Sequence, residues 1–110
     1  MARPDLPPNA DPSITTVEVV DVPEHSRFEL HDLSGAEPTT IGFMDYRANG
    51  NNLAVPHVET LSKLRGQGFG AVLMSGVVDE LRESGRTITP LCPYAAGYLA
   101  DRDDVADLVQ

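Results

Sequence analysis

The sequence predicts an α/β (α+β) domain, a mainly antiparallel sheet crossed by one long helix. Three observations predict it: strand patterns give way to a helix, a strand and a helix in that order; Asn49-Gly50 marks a hairpin; and a glycine-rich segment joins a strand to the most amphipathic stretch of the chain.

Residues 1–13 carry Pro4, Pro7, Pro8 and Pro12 and cannot sustain a hydrogen-bond ladder, so they read as a flexible tail and the domain as residues 14–110. In residues 14–22 the β-branched run Ile14, Thr15, Thr16, Val17, Val19, Val20 favours a strand, which Pro23 stops. Residues 27–33, with Phe28 and Leu30 alternating with polar neighbours, form a second strand or continue the first. Residues 39–47 put Ile41, Phe43 and Asp45 on one side and Gly42, Met44 and Tyr46 on the other, a strand with period two. Asn49-Gly50 should turn it back onto a strand at residues 52–61, where Pro56 requires a bulge or a splayed pair. Phe69, Val72, Leu73, Val77 and Leu81 then recur at helical spacing. Gly85 is placed to cap that helix, and Gly76 within it suits close approach to a sheet. Residues 86–91 read as a strand, Pro93 starts a helix to about Ala100, and residues 104–109 make a last helical turn.

A chain of 110 residues makes one domain with one modest core. Its 8 basic and 17 acidic side chains give a formal charge of -9, which repels nucleic acid and anionic lipid. No apolar run approaches the ~20 residues of a membrane span, and the single Cys92 has no internal disulfide partner. Nothing near Met1 resembles a signal peptide, so a cytoplasmic location is expected. No three potential ligands stand at metal-site spacing. Against the acidic total, Tyr46 through Val78 holds Arg47, Lys63 and Arg65 but only one acid, Glu59. This basic stretch contains Arg65-Gly66-Gln67-Gly68-Phe69-Gly70, an arrangement suited to a phosphorylated ligand. The segment is not a nucleotide P-loop, because Ala71 and Val72 follow Gly70 instead of Lys-Ser/Thr, nor a dinucleotide fingerprint, because Leu73 stands at the third glycine's place.

Arg65, Gly68 and Gly70 fit the Gln/Arg-x-x-Gly-x-Gly/Ala loop of the GNAT acyltransferases, which the segment resembles. With His57-Val58-Glu59-Thr60, Leu91-Cys92-Pro93-Tyr94 and Tyr98, the chain is similar to a branch of small single-domain GNAT-like N-acetyltransferases with a cysteine after the last main strand. The resemblance implies acetyl-CoA as cofactor, with the amides of Arg65, Gly66, Gln67, Gly68, Phe69 and Gly70 around its pyrophosphate. It also implies a splayed strand pair admitting the pantetheine arm, the backbone of Val58 to Thr60 at the thioester, and Tyr94 and Tyr98 nearby.

Glu59 is the candidate base for an ammonium acceptor, directly, through water or through His57, which shares its strand face; the alternative is a solvated carboxylate beside a packed histidine. Cys92 either takes the acetyl group, lines the pocket or is a buried structural cysteine. Tyr98 is the candidate acid, with Tyr94 its rival. Departures from the branch include Val58 after the histidine and the acidic segment Asp101-Arg102-Asp103-Asp104. The pair of helices that follows the first strand in larger GNAT enzymes is missing, which leaves an open site. Such a site suits an amine acceptor, a protein or peptide included, in a monomer or homodimer. The activity expected is N-acetyl transfer to an amine. The alternatives are a non-catalytic CoA- or acyl-CoA-binding module and an interaction domain that has lost the ligand.

Overall fold

The structure, a computed structural model, describes residues 4–110; residues 1–3 of the proline-rich tail lie outside the described residues. Among the described residues five strands form one sheet in chain order: β1 Val17–Val22, β2 Arg27–Asp32, β3 Thr39–Asn49, β4 Asn52–Thr60 and β5 Thr87–Pro90. The first four pair antiparallel, and β5 runs parallel to β4. Helix α1, Phe69–Ser84, makes the crossover between β4 and β5, and α2, Pro93–Ala100, follows β5. A final 3-10 segment, Asp103–Leu108, packs against α1 and α2.

Pro23 does end β1, and a 3-10 turn at Pro23–His25 sends the chain straight back into β2. This turn closes with Ser26 at φ 53°, its N–H donating to the Pro23 carbonyl. The two segments are therefore separate antiparallel strands with no helix between them. The β3–β4 hairpin forms where Asn49-Gly50 predicts it, but Asn49 is the last paired residue, opposite Asn52, and the turn is Gly50-Asn51. Only Gly50 of these two takes a positive φ, 61°.

Pro56 causes the irregularity expected of it. Register slips between Asp45 and Arg47 of β3 while β4 advances from His57 back to Ala54, leaving Val55 and Pro56 opposite Tyr46. This bulge reverses the phase of β4. At its first residue, the Val55 carbonyl points toward β5 and accepts from Leu91 N–H. Beyond it, Leu61 N–H bonds to Ile41 of the opposite neighbour, so alternation turns the backbone groups of Glu59 and His57 toward β3 and those of Val58 and Thr60 toward the β5 side.

Helix α1 buries Phe69, Val72, Leu73, Met74, Val77, Val78 and Leu81 against the sheet face that carries Val19, Phe28, Leu30, Met44 and Val55. The contact is close at Gly76, where an added Cβ would lie 2.7 Å from Val19 Cβ and nearer still to its Cγ2. Gly85 caps α1 at φ 68°, donating its N–H to Leu81. On the opposite face, cross-strand rows place Glu29 beside Phe43 and Phe43 beside Glu59, and Arg27 beside Asp45 and Asp45 beside His57. Residues before Ile14 touch this domain: Ala10 packs on the core and Asp11 N–H donates to Gln67 Oε1 at 2.7 Å. Among the described residues no helix is long and apolar enough to cross a membrane.

Candidate functional site

β4 and β5 pair only from Asn52 to Val55. At that limit the single carbonyl of Val55 accepts from both Leu91 N–H, at 2.9 Å, and Cys92 N–H, at 3.0 Å. β5 then leaves the sheet and enters α2, whose first turn is capped by Cys92 Sγ accepting from Ala95 N–H at 3.4 Å. β4 continues to Thr60 paired with β3 on its other side. The result is a wedge in which Val58 and Thr60 turn their backbone groups toward a strand that has gone.

The other wall of the wedge is the glycine loop. After β4 a 3-10 turn at Ser62–Leu64, which the sequence reading did not foresee, buries Leu64 and anchors the loop. Gly66 and Gly68 adopt φ 82° and 96°, a left-handed conformation that side chains resist. Gly68 is the N-cap of α1, and no side chain caps it. The first intrahelical bond runs from Val72 N–H to the Gly68 carbonyl at 3.3 Å, so the N–H groups of Phe69, Gly70 and Ala71 precede it without helical partners. No acidic residue stands in that first turn. An uncapped helix start with no acid in its first turn attracts an anion.

Between these walls lies a cavity of about 310 Å³. Val58, Glu59 and Thr60 line it from β4, and Arg65, Gly66 and Gly68 from the loop. Phe69, Gly70 and Tyr94 complete it, with Leu64, which sequence reasoning missed. The signal for Leu64 was its apolar side chain in an otherwise polar Ser-Lys-Leu-Arg run. Gln67 is absent from the lining, because its side chain turns away to accept from Asp11. His57, Cys92 and Tyr98 are also outside it.

Each of these three has a local partner. His57 Nε2 lies 3.0 Å from Glu59 Oε1, so the two residues on one strand face do meet. Cys92 is buried as the cap of α2. The Tyr98 hydroxyl accepts from Arg102 Nη1 at 2.7 Å, and Arg102 is paired in turn with Asp104. The acidic segment after α2 thus fixes Tyr98. Tyr94 instead lies against the start of α1, where a Cβ added at Gly70 would come within 2.6 Å of its hydroxyl. Burial, followed by the neighbouring Tyr98 and Cys92, raises the Tyr94 phenol above its ordinary pKa and keeps it protonated.

A second, smaller cavity of about 160 Å³ opens on the helix-free face, and it shares Glu59 and Thr60 with the first. Here Arg27 stacks over Phe43, 4.6 Å from the ring centre, while His57 packs against the same ring at 5.9 Å. Arg27 Nε donates to Glu29 at 2.7 Å. Burial alone would raise the Glu29 carboxyl, but hydrogen bonds from His31, Arg27 and Thr40 outweigh it and bring the pKa to about 2. Glu29 is therefore ionised and holds Arg27 in place.

The family model described as GCN5-related N-acetyl-transferase matches residues 27–108. A GCN5-like protein of Staphylococcus aureus, solved by NMR, is similar in fold with a TM-score of 0.61 and 25% identity, over 84% of this chain and 87% of that one. No curated protein matches in sequence.

Proposed function

The chain belongs to the GCN5-related N-acetyltransferase family, and from that premise we propose that it transfers the acetyl group of acetyl-CoA to an amine. One observation carries the reading: the uncapped N-terminus of α1 and the freed backbone edge of β4 open onto the same cavity. A phosphate-seeking helix end and a row of unpaired strand amides suit the two ends of an acyl-CoA, whose diphosphate and thioester are its recognisable groups.

In this reading the N–H groups at Gly68 to Ala71, with Arg65, hold the diphosphate. When bound, acetyl-CoA supplies an acyl group activated as a thioester. The Val58 and Thr60 backbone edge faces the carbonyl and donates to the oxygen as negative charge develops there. Glu59, oriented by His57, takes the proton of the acceptor ammonium. Tyr94 gives its proton to the departing thiolate, in place of the Tyr98 expected from the resemblance, since Tyr94 lines the cavity while Arg102 occupies the Tyr98 hydroxyl. Cys92 takes no acyl group in this scheme; it caps α2 and closes the apex of the wedge.

A CoA-binding module without turnover is the second reading, favoured by the exposure of Glu59, whose side chain is 45% accessible and open to water. Thermal denaturation with rising acetyl-CoA tests what both share: saturation at about 100 times Kd stabilises by about 2.7 kcal/mol. The absence of any shift at millimolar acetyl-CoA removes both readings. Release of CoA in the presence of an amine, lost in Glu59→Gln, then separates catalysis from binding.

A further inference from the structure

The 160 Å³ cavity on the helix-free face shares Glu59 with the larger cavity, and its lining carries both signs of charge. A guanidinium, Arg27, and a carboxylate, Glu59, both line it, with apolar Ile41, Phe43 and Leu61. We propose, resting on the acetyl-transfer reading, that this cavity selects a small zwitterionic acceptor: an α-amino acid with an apolar side chain, its carboxylate held by Arg27 and its amine by Glu59.

Four observations support the assignment. Arg27 is preorganised, its guanidinium carbon held over the Phe43 ring and its Nε tied to the buried Glu29. That bond consumes Nε alone and leaves the Nη fork, whose geometry matches a carboxylate held by two parallel bonds. Phe43 lies beside Glu59 in the β3–β4 register and carries Arg27 over its ring, so the guanidinium and the Glu59 carboxylate approach the same aromatic ring and line the same cavity. The volume is also well below the ~300 Å³ at which drug-sized ligand pockets begin, which suits a molecule of a few heavy atoms.

The shared Glu59 and Thr60 complete the argument. An amine on Glu59 in the small cavity lies at the edge of β4 that forms the wall of the large one, so the acceptor nitrogen reaches the acyl site without crossing the sheet. The reaction forms an amide bond to that nitrogen and breaks the thioester C–S bond. The nitrogen loses two protons: one leaves to Glu59, and the other replaces the proton that Tyr94 gives to sulfur, so CoA departs as its thiol. An exposed, acidic protein surface would by itself favour polycations; Arg27 opposes them.

The test compares leucine with leucinamide and isoamylamine as acceptors for the full-length protein with acetyl-CoA. Leucine should have the lowest KM, and Arg27→Gln should raise it roughly 10- to 100-fold while shifting that of leucinamide, which has no carboxylate charge, far less. The acetyl-CoA thermal shift of Arg27→Gln should equal that of wild type, which separates a lost carboxylate contact from a damaged fold. In parallel, leucine titrated into the CoA-loaded protein should move the NMR signals of Thr40 and Phe43. The inference is overturned if leucinamide or isoamylamine is used as well as leucine, if Arg27→Gln affects all three alike, or if leucine at tens of millimolar moves no signal while acetyl-CoA still stabilises the protein. Loss of the acetyl-CoA shift in wild type would instead remove the acetyl-transfer reading itself.

Discussion

Gly76 sets the distance between α1 and the sheet, and replacing it with alanine should loosen both the core and the loop that α1 carries. The new methyl would sit 2.7 Å from Val19 Cβ, where ordinary contact begins at 3.4 Å. Val19 and its surroundings are fully buried and cannot swing aside. The strain resembles core overpacking, about 1–3 kcal/mol, partly offset by the 0.5–1 kcal/mol that alanine contributes to a helix interior over glycine. The net expectation is a loss of roughly 1–2 kcal/mol, read as a Tm lower by on the order of 5–10 °C. Because α1 begins at the loop, the same variant should bind acetyl-CoA more weakly. Val19→Ala introduced together with Gly76→Ala should restore part of the loss, giving a coupling of ~1 kcal/mol in a double-mutant cycle. A Gly76→Ala protein as stable as wild type, or strictly additive single changes, would refute the argument that helix and sheet are in contact at this point.

Two further outcomes follow from the side chains around the cavities. Tyr94→Phe should lower kcat by on the order of 10²-fold, the low end for a lost general acid, with KM for acetyl-CoA little changed. Tyr98→Phe should leave kcat near wild type and cost only about 1 kcal/mol of stability through its bond to Arg102; equal losses in both variants would sink the choice of Tyr94. Glu29 has a folded-state pKa depressed from 4.5 to about 2, so its contribution to stability is present above pH 4.5 and disappears as pH falls toward 2. It amounts to at most about 3 kcal/mol. Unfolding measured from pH 6 to 2 should show wild type losing more stability than Glu29→Gln across that window, and parallel curves would contradict it.

What the sequence made legible were features that one residue type enforces. Pro56 cannot donate to a ladder, and the bulge lies there; Gly50 tolerates a positive φ, and the hairpin turns there; Gly76 lacks a side chain, and the helix meets Val19 there. The glycine loop was legible for the same reason, and most of its expected lining faces one cavity. What escaped depends on register and on distant partners. The meeting of Arg27, Phe43 and Glu59 requires three strands in one alignment, and no local pattern specifies it. Tyr94 and Tyr98 are four residues apart on one short helix, and only their contacts, Tyr94 with the remote Gly70 and Tyr98 with Arg102 just beyond the helix, distinguish them. Gln67 looked like a ligand by position in the loop, yet Asp11, from the proline-rich stretch set outside the fold, engages its side chain. The Asn49-Gly50 signal was off by one residue because asparagine closes the ladder as readily as it turns the chain.

The extra residue at Val55 and Pro56 determines when the price of an open cleft is met. A cleft made by a hinge must be opened or shut each time a ligand arrives, and part of the binding free energy goes to that motion. Here the gap follows from how β4 is threaded through its sheet, so it is settled once, during folding. The strand's polar edge therefore stands ready before any ligand comes, and chain connectivity keeps it so.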